Sequence, residues 1–110
     1  MLEVQAVFGT IARSRLKEGV SVEQLKALFA DADDQPAGAV ALLVYQSADD
    51  PRDVWIASAF ESRETYFKNA DSPEQNARFE RMRALVEGQP EWHDGNVLLA
   101  RAEGRVLTPS

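Results

Sequence analysis

Two spacings of apolar residues alternate along this chain: a period of two that suits strands and a period near 3.6 that suits helices. Val54-Trp55-Ile56-Ala57-Ser58-Ala59-Phe60 carries neither charge nor glycine and stops at Glu61-Ser62-Arg63-Glu64, where a helix can begin. Val4, Ala6 and Phe8 lie at period two with Gln5 and Val7 on the other face, which predicts a first strand within residues 2–11. Residues 13–18 are charged, and Gly19 marks a turn before Ser21-Val22-Glu23-Gln24, a capping box. Val22, Leu25, Leu28, Phe29 and Ala32 then make one helical stripe, ended by Asp31-Ala32-Asp33-Asp34-Gln35-Pro36.

The second strand is predicted over residues 39–46, and the turn at 47–53 is short enough to join it to the third as an antiparallel hairpin. With the loop centred near Asp50, Tyr45 falls opposite Trp55, Leu43 opposite Ala57 and Ala41 opposite Ala59, while Val44 pairs with Ile56 and Val40 with Phe60 on the other face. A short helix follows with Tyr66, Phe67 and Ala70. A second helix start stands at Ser72-Pro73-Glu74-Gln75, where Ser72 caps, Pro73 suits the first helical position and Gln75 completes a capping box. This longer helix is predicted over residues 73–87 with Phe79, Met82, Leu85 and Val86 as its stripe. Gly88-Gln89-Pro90 ends it, the fourth strand occupies residues 95–102, and residues 103–110 form a flexible tail that frays or covers an edge.

The predicted order is an α+β, ferredoxin-like β-α-β-β-α-β with a broken second helix: one domain over residues 1–110, a four-stranded antiparallel sheet with its helices on one face. An antiparallel sheet wet on one side should alternate apolar and polar residues. Val40-Ala41-Leu42-Leu43-Val44 and Val54-Trp55-Ile56-Ala57 are apolar on both faces instead. A chain this short has helix enough for one face, so the other is expected to meet a second copy, giving a homodimer joined through sheet faces.

Composition narrows the function. A 110-residue domain buries roughly 65% of its unfolded surface, enough for a single core. With 12 Lys+Arg against 18 Asp+Glu and a net charge of −6, no basic face is expected for nucleic acid or an anionic membrane. The absence of cysteine removes disulfides, thiolate catalysis and Cys-ligated metal. No apolar run reaches membrane-spanning length and the N-terminus lacks a signal-peptide pattern, so a cytoplasmic protein is expected.

Motifs for chemistry are sparse. Glu91-Trp92-His93-Asp94-Gly95 holds the single histidine but reads as a turn leading into the last strand, and on a strand Asp94 would point away from His93. Asp31, Asp33 and Asp34 cluster, yet Pro36 stands where a calcium loop requires glycine, so no metal site is expected. The glycines are isolated from one another, which gives flavin or nicotinamide no phosphate loop and leaves no cofactor expected. Ala39, Ala41, Ala57 and Ala59 share a predicted face with Tyr45 and Trp55; small residues beside large aromatics can leave a cavity for a flat apolar ligand or let a partner sheet approach closely. Tyr66, Phe67, Phe79 and Met82 either line the helix side of a cavity or form plain core.

Phe60-Glu61-Ser62-Arg63-Glu64, Asp71-Ser72-Pro73-Glu74-Gln75, Gly88-Gln89-Pro90-Glu91-Trp92 and the Lys17-Glu18-Gly19 turn together resemble the antibiotic biosynthesis monooxygenase-like family over nearly the whole chain. Tryptophan usually stands in that family where this chain has Phe60. The resemblance implies a dimeric α+β barrel and, in some members, a cofactor-independent monooxygenase that converts aromatic or quinol-like phenols to quinones in an apolar pocket. On that reading Tyr45, Trp55 and His93 are the candidate catalytic groups, and Tyr45, Trp55, Tyr66, Phe67, Phe79 and Met82 the candidate substrate-binding ones. Two alternatives accompany it: a non-catalytic homodimer that binds a small aromatic ligand or serves as a stress accessory, and a haem-binding or haem-degrading relative. For the haem branch, Ala12, Asn69 and Phe79 stand where its asparagine, tryptophan and histidine would be.

Overall fold

The computed structural model describes residues 7–30, 36–102 and 105–107, with 101, 102 and 105–107 described through the backbone alone. Four strands, β1 (Phe8–Leu16), β2 (Ala39–Gln46), β3 (Asp53–Phe60) and β4 (Val86–Asn96), form one antiparallel sheet in the order β2-β3-β1-β4. Helix α1 (Val22–Ala27) follows β1, while α2 (Arg63–Ala70) and α3 (Pro73–Arg83) lie between β3 and β4. This is the ferredoxin-like β-α-β-β-α-α-β order. A small hairpin, β5 (Ala100–Ala102) with β6 (Arg105–Leu107), follows the sheet.

The helix starts fall where their caps are written. Ser21 accepts from the Gln24 N–H and the Gln24 side chain accepts from the Ser21 N–H, the reciprocal capping box. Ser62 caps α2 through the Thr65 N–H, and Ser72 caps α3 through the Gln75 N–H with Pro73 at the first helical position. The second capping box predicted at Ser72 is only half made. Gln75 Oε1 accepts from Arg78 at 2.7 Å, and the Ser72 N–H donates to the Asn69 carbonyl, which closes the α2–α3 corner.

Four boundaries move from those the sequence predicts. Helix α1 ends at Ala27, so Leu28 and Phe29 of its predicted stripe pack against the core from the turn that follows it. β1 runs from Phe8 to Leu16, so the stretch read as a charged loop is strand: Ala12, Ser14 and Leu16 turn inward, and Arg13 and Arg15 turn outward between them. Residues 1–6, which hold Val4 and Ala6, lie outside the described residues, as do Ala32 and the aspartates at 31, 33 and 34. Helix α3 ends at Arg83 and β4 begins at Val86, because Lys17 N–H bonds the Leu85 carbonyl and Leu16 pairs with Val86. Pairing with β1 captures a segment whose local spacing still suits a helix. Gly88-Gln89-Pro90 is therefore no helix stop; it lies in β4 where the register slips opposite Ser14, with Gly88 at φ +63°. A bulge is where a strand accepts a left-handed glycine and a proline without N–H. The segment predicted as the fourth strand contributes only Gly95 and Asn96 to it, and 100–102 pairs instead with 105–107, within the stretch expected as a tail.

The hairpin register is as predicted at four of five pairs: Tyr45 with Trp55, Val44 with Ile56, Leu43 with Ala57, Ala41 with Ala59. The fifth differs because the register shifts between Ala39 and Ala41, which sets Ala39 opposite Phe60 and onto the face that Phe60 shares, away from Ala41. Ala12, Leu16, Leu25, Val54, Ile56, Met82 and Val86 make the buried core between sheet and helices, with Val44, Phe79 and Leu85 packed against it. Among the described residues no helix is long and apolar enough to cross a membrane.

Candidate active site

On the helix-covered face, strand parity brings Phe8, Thr10, Ala12 and Ser14 of β1 beside Phe60 and Ser58 of β3 and beside Trp92, Asp94 and Asn96 of β4. α2 lays Tyr66 and Phe67 over one end of this row. Tyr66 meets Phe8 edge-on at 5.0 Å, Phe60 at 5.6 Å and Phe67 at 5.0 Å between ring centroids. Further along, Phe79 of α3 tilts against Trp92 at 6.0 Å. Both ring groups therefore edge a row that is polar in the middle.

The polar centre is Tyr66–Asp94–Thr10. The Tyr66 hydroxyl donates to Asp94 Oδ1 at 2.9 Å. Burial of the ring pushes the Tyr66 pKa up to about 12, and the Asp94 carboxylate pushes the same way by holding the proton; the Thr10 hydroxyl opposes them. The phenol thus stays protonated at neutral pH and orients Asp94. Thr10 lies against the phenol without reaching hydrogen-bond geometry, so its buried Oγ1, like that of Ser14, has no protein partner among the described residues. Two buried hydroxyls without partners are costly in a closed core and useful beside a polar ligand or water.

The sequence-derived candidates divide between the two faces of the sheet. Tyr66, Phe67, Phe79 and Met82 do lie on the helix side, Met82 as plain core. Tyr45, Trp55 and His93 lie on the opposite face, since they share it with Arg13, Ile11 and Ala57. Tyr45 stacks on Trp55 at 6.4 Å with 7° between planes, and Arg13 covers the Trp55 ring at 5.3 Å. His93 is inside β4 rather than in a turn, two strands from Trp55, and Nε2 lies 3.0 Å from Glu91 Oε1. Within one protomer, then, Tyr45, Trp55 and His93 do not line the space that Tyr66 and Phe67 border. Asp94 points away from His93, as strand alternation requires, and so reaches Tyr66. Thr10 and Asp94 escape a sequence reading because their meeting depends on the β1–β4 register; the one local signal is Thr10 and Ser14 recurring at even spacing around Ala12.

The helix-free face carries an apolar row across β2, β3 and β1, made of Leu43, Ala57 and Ile11, that ends at His93 on β4. Leu43 is 62% exposed, Tyr45 50% and Ile11 46%. Beside it, Ala41, Ala59, Gly9 and Gly95 make a smooth row. At the far end Arg15 bonds Asp50 at 2.7 Å and Asp53 at 3.0 Å, and Arg52 pairs with Glu87. The described residues contain no cluster of three His, Cys, Asp or Glu side chains that could hold a metal ion. At the haem-branch positions, Ala12 is buried and offers no ligand.

Such a sheet, with three helices on one face and a ring-bordered polar centre beneath them, defines a ferredoxin-like α+β protein, and solved structures with this fold narrow the comparison. No family model matches the sequence, and no curated protein matches it. The structure superposes on a candidate antibiotic biosynthesis monooxygenase from Chloroflexus aurantiacus J-10-fl with a TM-score of 0.73 at 20% identity, covering 88% of this chain and 98% of that one. A candidate antibiotic biosynthesis monooxygenase from Nitrosomonas europaea gives 0.72 at 16% identity, covering 88% and 96%. SnoaB, a cofactor-independent oxygenase from Streptomyces nogalater, gives 0.65 at 11% identity, covering 80% and 91%. The chain has the fold of antibiotic biosynthesis monooxygenase-like proteins.

Proposed function

We propose that this single-domain protein is a cytoplasmic homodimeric, cofactor-independent monooxygenase acting on an aromatic or quinol-like substrate held between the sheet and α2–α3. The Tyr66–Asp94 hydrogen bond beside the unpartnered Thr10 hydroxyl carries the reading: a base and a free donor stand next to a set of aromatic rings. Likeness in fold to SnoaB supports the reaction class. A flat substrate stacks on the exposed rings of Phe67 and Trp92. Asp94 takes the acidic C–H or O–H proton, and the Thr10 hydroxyl donates to the oxygen where negative charge develops. For an anthrone, the resulting carbanion gives electrons to O2, a C–O bond forms, and O–O cleavage with loss of water leaves the new carbonyl; anthrone plus O2 becomes quinone plus water.

The exposed Leu43–Ala57–Ile11–His93 row supports dimerisation through this face. Tyr45, Trp55 and His93 then belong to the interface rather than to the catalytic centre.

Oxygen uptake with dithranol or anthrone, with and without chelator, tests the reaction. Uptake above the spontaneous rate that survives chelation and is lost in Asp94→Asn is expected. A rate equal to the spontaneous one across several such phenols would reject the enzyme reading in favour of a ligand-binding dimer, which melts higher with ligand and turns nothing over.

A further inference from the structure

Arg63, at the start of α2, sets its guanidinium over two rings at once, 5.2 Å from Phe8 and 5.2 Å from Phe67. Those rings both touch Tyr66, so the cation stands one ring away from the Tyr66–Asp94 pair. Its charge is not neutralised locally. Among the described residues, Arg13, Arg15, Arg52 and Arg83 each meet a carboxylate; Arg63, like Lys17, Lys68 and Arg81, has none within ion-pair distance, and of these four cations it is the one set over aromatic rings. In a chain of net charge −6, an exposed cation held by π-faces alone is a gap in the charge pairing. Its donors remain available, since a ring engages the face of a guanidinium and leaves its N–H edge free.

We infer that Arg63 binds an anionic group of the substrate, so that the preferred substrates are hydroxylated polycyclic aromatic acids rather than neutral phenols. This rests on the proposed pocket between sheet and helices. The rings of Phe8 and Phe67 hold the guanidinium in place, and Phe67, itself partly exposed, offers a stacking surface next to it. Arg63 and Asp94 have opposite charge and lie on either side of the Phe8–Tyr66 ring pair. An aromatic acid therefore docks with its carboxylate at Arg63 and its hydroxyl toward Asp94 and Thr10; the reversed orientation sets two carboxylates against each other. Arg63 is a specificity residue in this arrangement, and it takes no part in proton or oxygen transfer.

The test is binding, which does not depend on turnover. Affinities of 6-hydroxy-2-naphthoate and 2-naphthol are measured by calorimetry for the full chain and for Arg63→Gln, with melting curves of both proteins. The full chain is expected to bind the acid about tenfold more tightly than the neutral phenol, a preference that shrinks with added salt. Arg63→Gln is expected to lose that preference while keeping its affinity for 2-naphthol. Arg63→Lys, which keeps the charge without the planar fork, retains part of it. An unchanged preference in Arg63→Gln overturns the inference and leaves the pocket standing. A parallel loss of both ligands with a lowered melting temperature also overturns it, by showing Arg63 to be only a cover for the Phe8 ring. If neither ligand binds the full chain, the pocket itself is rejected, and this inference with it.

Discussion

Tyr66 donates to Asp94 while its ring is wedged among Phe8, Phe60 and Phe67, so one side chain has both a packing role and a polar one. The two separate on mutation. Tyr66→Phe keeps the rings together and removes the hydroxyl; a change of melting behaviour worth about 1 kcal/mol is expected, together with at least a tenfold fall in any oxygenase rate if Asp94 needs that bond for orientation. Because the folded phenol titrates near 12 and an unfolded one near 10, the folded state holds the proton more tightly between those values. Stability should therefore be level below about pH 10 and fall as pH rises toward 12, and Tyr66→Phe should flatten that fall in alkaline denaturation. Asp50 works in the opposite direction. The hydrogen bond from Arg15 and the backbone N–H of Arg52 hold its carboxyl below the ordinary value. Its contribution is present at neutral pH and lost as pH drops through its folded pKa, so the stability difference between the parent and Asp50→Asn should close in acid.

At the scale of elements, two glycines in strands show how closely the sheet is built. A Cβ on Gly9 would lie 2.0 Å from the Ser58 carbonyl oxygen, a backbone atom that cannot swing aside. Gly9→Ala is expected to lower stability by about 1–3 kcal/mol in denaturant melts. At Gly88 the obstacle is conformation: nothing crowds a Cβ, but φ is +63°, so Gly88→Ala should cost about 1 kcal/mol and Gly88→Asn less. Neither glycine's role is legible locally. Gly88 stands beside a proline, where a helix stop is the natural reading, and only the β1–β4 register shows that it makes a bulge opposite Ser14. The helix starts were legible because a cap is a contact within four residues: Ser21 with Gln24, Ser62 with Thr65, Ser72 with Gln75.

For the whole molecule, the helix-free face is where the proposed dimer meets the charge pattern. Leu43 is the most exposed large apolar side chain of that sheet face, in the row with Ala57 and Ile11. Leu43→Glu places a charge in the centre of the proposed interface without touching the core. Sedimentation should show a dimer for the parent and a monomer for this variant, with helix content retained. A monomeric parent at micromolar concentration would remove the dimer from the proposal and leave the site on the helix side untouched.

The amino-acid sequence by itself determined the order of the four sheet strands and their helices, the helix starts, the register of the central hairpin from Ala41 to Tyr45, and the presence of apolar residues on both sides of strands two and three. Each depends on neighbours a few residues apart or joined by one short turn. Tertiary structure alone decided where α3 gives way to β4 and that Asp94 meets Tyr66 and Thr10. It also decided that Tyr45, Trp55 and His93 face away from them. Tyr45 and Trp55 are placed by the pairing of β1 with β3, and the end of α3 and the facing of His93 and Asp94 by the pairing of β1 with a strand some seventy to ninety residues further along the chain. A one-residue slip in that pairing exchanges the two faces, and no local pattern of residues fixes it.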